Sequence, residues 1–148
     1  MAQVTGIGNT IYILVVVDVV NALTSKEGLA GNVWMFDTEK FRGESEATGA
    51  LRTYVKNGDI LVWSLASINP ADNLQFSTNK PFYSLNGIAN PAVPKVINPK
   101  PLADDQYRAQ VSIPGDAAKA TAYQYTMTLS INGADYTFDP YLEVLNAP

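Results

Sequence analysis

From Tyr123 to Phe138 the chain has one economical way to fold, a β-hairpin. Tyr123, Tyr125, Met127, Leu129 and Ile131 alternate with Gln124, Thr126, Thr128, Ser130 and Asn132. This period of two sends the apolar set to one side of a strand and the polar set to the other. Asn132-Gly133 follows directly, a dipeptide preferred in two-residue hairpin turns because both positions need a positive φ. Folding back on that turn sets Leu129 opposite Tyr136 and Met127 opposite Phe138, so apolar residues meet across the pair. Pro140 has no N–H to give and stops the ladder.

The same construction around Asn57-Gly58 predicts a second hairpin, with Val55 opposite Ile60, Thr53 opposite Val62, Tyr54 opposite Leu61 and Arg52 stacked on Trp63. The strand from Asp59 to Ile68 is apolar on both faces near its centre, as a middle strand under a second layer would be. The run from Ile11 to Val20 is the most apolar in the chain. It is about half the roughly 20 residues a membrane helix needs, it contains Asp18, and no basic residue precedes it as a signal peptide would require. Its β-branched residues favour a strand buried on both faces.

Further strands are expected at Asn32 to Phe36, Asn73 to Ser77, Tyr107 to Ser112 and Tyr141 to Leu145, the last at a sheet edge. One short helical window, Val19 to Lys26, follows Asp18 as its N-cap. Five prolines between Pro81 and Pro101 predict a long surface loop without a hydrogen-bonded ladder. The expectation is one all-β domain over residues 1–148, an antiparallel β-sandwich of about eight strands with little or no helix, or a flattened barrel.

The 148 residues include no histidine and no cysteine. That removes Ser-His-Asp and Cys-His catalysis, zinc sites of the usual composition and any disulfide framework. Ten basic and fourteen acidic residues give a net charge of -4. The cations are scattered, so nucleic acid is not an expected partner. Gly6 and Gly8 precede a strand with no helix behind it, which is not a phosphate loop. No cofactor and no metal is expected, beyond oxygens at Asn69 to Asn73 and Asp135 to Asp139 that could hold calcium weakly.

The chemistry that survives belongs to carboxylates and aromatic faces. Asp18, Asp37 and Asp139 each follow an apolar strand. Two of them within about 5 to 9.5 Å in a cleft would suit glycoside hydrolysis, and the alternative is that each caps a turn. Trp34, Tyr54, Tyr83, Tyr107 and Tyr141 either fill the core or present a platform to a sugar ring. A candidate ligand surface is therefore Trp34, Asp18, Asp37, Tyr83, Asp139 and Tyr141.

The segments ILVVVD (13–18), NVWMFD (32–37), GDILVWSLASI (58–68) and YQYTMTLSINGADYTFDPYL (123–142) together resemble the AidA/PixA family of bacterial inclusion-body proteins. The likeness spans most of the chain, and its closing motif is the most specific part. It implies a small bacterial protein without established catalytic residues, in some members controlled by quorum sensing and in some accumulating as intracellular inclusions. The expected function is therefore non-enzymatic self-association in the cytoplasm, for storage or host interaction. The expected partner is a second copy, with no membrane. A carbohydrate or small-ligand module is the alternative, and a carboxylate-dependent hydrolase ranks behind both.

Overall fold

The computed structural model describes residues 8–24, 29, 31–38, 48, 51–69, 73–78, 81–84, 99–103, 105–112 and 122–144. Glu44, Glu46, Asp104, Leu145 and the proline-rich residues 85–98 lie outside them, as does the end of the expected helix at Lys26. Two sheets stack face to face, giving the all-β sandwich expected. Among the described residues there are eleven strands rather than eight, and both sheets are mixed rather than purely antiparallel.

Sheet one contains β1 (Thr10–Val17), β2 (Val33–Asp37), β4 (Ile60–Ser67), β7 (Lys100–Ala103) and β8 (Gln106–Gln110), in the order β2-β1-β4-β8-β7. Its central pair, β1 and β4, runs parallel from Thr10 opposite Ile60 to Val17 opposite Ser67. Between β1 and β2 sits α1 (Val19–Thr24). Asp18 caps it as expected, Oδ1 accepting the Asn21 backbone N–H at 3.1 Å.

Sheet two is built around β9 (Ala122–Ile131). Its hairpin partner is β10 (Ala134–Phe138), with Leu129 opposite Tyr136 and Met127 opposite Phe138 as the alternation requires. Asn132 and Gly133 take φ of 51° and 88°, the two positive values of a type I′ turn. Beyond Pro140 the chain resumes as β11 (Tyr141–Val144) on the same side of β9 without a change of register, Tyr141 facing Gln124. Pro140 thus interrupts the ladder instead of ending it. On the other side of β9 lie β5 (Leu74–Phe76) and β6 (Phe82–Ser84). Short strands therefore occupy both ends of the segment expected to be a loop; Pro101 is tolerated because β7 is an edge strand. The strand β3 (Arg52–Val55) pairs in parallel with β11, so β11 is an inner strand rather than the edge expected of it.

The Asn57-Gly58 hairpin does not form. β3 belongs to sheet two and β4 to sheet one, so this turn carries the chain between layers. Only Gly58 has a positive φ there, 93°, which fits a type II turn and not the doubly positive turn of a tight hairpin. The turn is held by Asp59, fully buried, whose Oδ2 accepts the Lys56 N–H at 2.8 Å and Oδ1 the Asn9 N–H at 3.0 Å. A side chain at Gly8 would collide with the backbone of Gly58 and Asp59, so the chain before β1 seats on this turn only as glycine. Arg52 consequently stacks on Tyr141, 4.5 Å from the ring centroid, and not on Trp63.

The core lies between the sheets, with Ile11, Ile13, Val15, Leu61 and Trp63 from sheet one against Leu51, Val55, Met127, Leu129 and Leu142 from sheet two. Each such side chain contributes about 1.5 to 3 kcal/mol on burial. Trp63 Nε1 donates to the Tyr125 hydroxyl at 3.1 Å, joining the layers at their centre.

Candidate functional site

Three of the residues singled out from the sequence, Asp18, Trp34 and Asp37, belong to sheet one; Tyr83, Asp139 and Tyr141 belong to sheet two. Asp18 and Asp37 sit at opposite ends of β2. The Asp18 N–H donates to the Asn32 carbonyl, and Asp37 lies five residue steps beyond Asn32, at about 3.3 Å each. Both Asp18 oxygens serve Asn21, by its N–H and its side-chain amide. Asp37 turns inward, where Oδ2 accepts the buried Thr53 hydroxyl at 2.9 Å. Asp139 Oδ1 accepts the Thr126 hydroxyl at 2.8 Å, and Thr126 alternates with the core-facing Tyr125 and Met127, so Asp139 lies on the outer face of sheet two. The three carboxylates thus face three separate places, and each is engaged in tying its own strand end.

The outer face of sheet two is polar. Arg52 lies over Tyr141 and its guanidinium Nη1 pairs with Glu143 Oε2 at 3.1 Å. Both charged side chains are partly exposed, so the pair contributes less than about 1 kcal/mol. Thr126 and Thr128 are buried on this face, and among the described residues the Thr128 hydroxyl has no hydrogen-bond partner. Tyr83 is opposite Thr126 in the ladder; its side chain lies outside the described residues.

In the interior, Asp37 stands close enough to Tyr125 to act on its ionisation. Burial, and secondarily the negative charge of Asp37, push the Tyr125 hydroxyl far above the ordinary tyrosine range. The hydrogen bond from Trp63 offsets only part of this.

The outer face of sheet one is different. The apolar run from Ile11 was expected to be buried on both faces, yet β1 alternates strictly: Ile11, Ile13, Val15 and Val17 are buried while Tyr12 and Leu14 are 56% and 41% exposed. Next to them on β2, Trp34 is half-buried and Phe36 is 40% exposed. The register places Trp34 beside Val16 and Phe36 beside Leu14. Tyr12, Leu14, Phe36, Asp37, Thr38 and Ser64 are among the residues that line a groove of ≈ 350 Å³. An apolar strip thus crosses two strands on a face that the sandwich leaves open. The sequence carried the signal, since a strand apolar at every position needs a cover on both sides.

A family model described as "Domain of unknown function (DUF8788)" matches residues 9–137, from the start of β1 nearly to the end of β10. The chain belongs to this family. No curated protein matches the DUF8788 chain. Among solved structures, an inclusion body protein, PixA, from Burkholderia cenocepacia J2315 is similar, with a TM-score of 0.55 at 11% identity over 93% of this chain and 92% of that one. At that identity the likeness is one of fold, and at that level it supports the AidA/PixA resemblance. An endo-fucoidan hydrolase of glycoside hydrolase family 107 gives a TM-score of 0.43 at 12% identity, over 66% of this chain and 13% of that one, too weak to bear on fold or chemistry.

Proposed function

We propose that this DUF8788 protein is a non-enzymatic, self-associating bacterial protein that accumulates in the cytoplasm and serves in storage or host interaction. The observation that carries the reading is the open apolar face of β1 and β2, where Tyr12, Leu14 and Phe36 stand exposed beside Trp34. The fold shared with an inclusion body protein agrees with it. Two copies placing these faces together would make a third sheet-on-sheet layer, with side chains interdigitating across about 10 Å.

The magnitudes favour association that depends on concentration. Covering three half-exposed large side chains recovers about 1 kcal/mol each, whereas bringing two proteins together costs about 4 to 15 kcal/mol. Tyr12, Leu14 and Phe36 alone do not hold a tight dimer. They do support weak contacts that multiply when the protein is abundant, the regime in which an inclusion forms. Hydrogen exchange followed by mass spectrometry at low and high protein concentration tests the surface: protection should rise with concentration in Thr10–Val17 and Val33–Asp37. Protection that rises only elsewhere, or nowhere, defeats the proposal.

A further inference from the structure

On the outer face of sheet one the apolar strip has cations for neighbours. Tyr107 points inward against Phe76 and Phe82, so the next residue of β8, Arg108, points outward. The ladder sets Lys100 of β7 directly opposite Arg108, Arg108 opposite Val62, and Val62 beside Tyr12. One row across four strands therefore runs from two exposed cations to the apolar strip. Arg108 stands two strand spacings from Tyr12, about 10 Å. Like charges directly opposite one another repel, and an anion set between them relieves that repulsion. The groove at Tyr12, Leu14, Phe36 and Ser64 reaches β4, the strand next to β8. Asp37 also lines it, from β2 at the far end of the sheet order.

We propose that this face binds a long-chain carboxylate, its head held by Arg108 and Lys100 and its alkyl chain laid over Val62 into the groove at Tyr12, Leu14 and Phe36. Charge sets the orientation, since Asp37 repels the carboxylate at the β2 side and the two cations attract it at the other. The chain covers apolar side chains that water otherwise wets. An amphiphile with a cationic head meets the opposite field and is turned away. The bound ligand occupies the surface on which a second copy packs, so it dissociates the assembly. That regulatory part rests on the self-association reading; the binding part does not.

The test is an amide-resolved NMR titration of the dilute full chain with decanoate below its micelle concentration, and with decyltrimethylammonium as the comparison of opposite charge. Decanoate should give saturable shifts centred on Tyr12, Leu14, Val62 and Arg108. Lys100→Gln combined with Arg108→Gln, both at exposed positions, should weaken binding about fivefold, and Phe36→Asp should abolish it. Absence of saturable shifts, equal binding of the cationic amphiphile, or unchanged affinity in the double variant would each overturn the site. Light scattering on the concentrated natural chain reads the regulation: decanoate should lower its mass. A mass that grows with concentration and ignores bound decanoate would overturn the competition. Decanoate shifts at these residues in a chain whose mass never grows would uphold the site and defeat self-association alone.

Discussion

Asp59 is fully buried, and its two carboxylate oxygens each accept a backbone N–H, from Asn9 and from Lys56. Removing it would leave two donors without partners at the crossing between the sheets. Tyr125 plays the corresponding part at the centre of the sandwich, where its hydroxyl accepts from Trp63 and is driven to stay protonated by burial and by Asp37. Below pH about 10 the hydroxyl is neutral in both folded and unfolded chains. Above that pH the unfolded chain releases this proton and the folded chain keeps it. Stability therefore falls as pH rises, by about 1.4 kcal/mol per pH unit from this group. Tyr125→Phe should be less stable at neutral pH by about 1 to 3 kcal/mol for the lost partner of Trp63, but its stability should fall less steeply in alkali. Urea unfolding of both proteins across the alkaline range measures the two slopes, and equal slopes would refute the assignment.

The same dipeptide, Asn-Gly, makes two different elements in this chain. At Asn132-Gly133 both residues have a positive φ and the strands pair; at Asn57-Gly58 only the glycine does and the strands part. Asn132→Ala should therefore cost about 1 to 2 kcal/mol of backbone strain, a penalty that Asn57→Ala does not incur; thermal unfolding of both variants measures the difference. The hairpin of β9 and β10 was legible because local alternation and turn chemistry agree with the final pairing. The β3–β4 pairing was not, because what decides it is non-local: Asp59 reaches Asn9, fifty residues away, β4 pairs with β1, and β3 pairs with β11. β11 was expected at an edge for the same reason, since its partner β3 lies some ninety positions earlier in the sequence. Of the candidate site, the capping role of Asp18 was readable from its position before α1, whereas the bond from Thr53 to Asp37 joins residues of different sheets and leaves no local pattern.

At the scale of the whole molecule, the sandwich has one core and two unlike outer faces. Sheet two presents Arg52, Glu143, Gln124 and Asp139, tied to one another and to neighbouring strands. Sheet one presents Tyr12, Leu14 and Phe36 to solvent. Apolar patches of this kind on a protein surface mark interaction sites, and the modest net charge of -4 opposes association only weakly. Among the described residues no helix is long and apolar enough to cross a membrane. The measurement that bears most directly on this account is the mass in solution, by light scattering over a hundredfold range of concentration, for the natural chain and for Phe36→Asp. The natural chain should grow in mass with concentration, while the variant, with the same circular dichroism, should stay monomeric. A natural chain that is monomeric throughout, or a variant that associates equally, would contradict it.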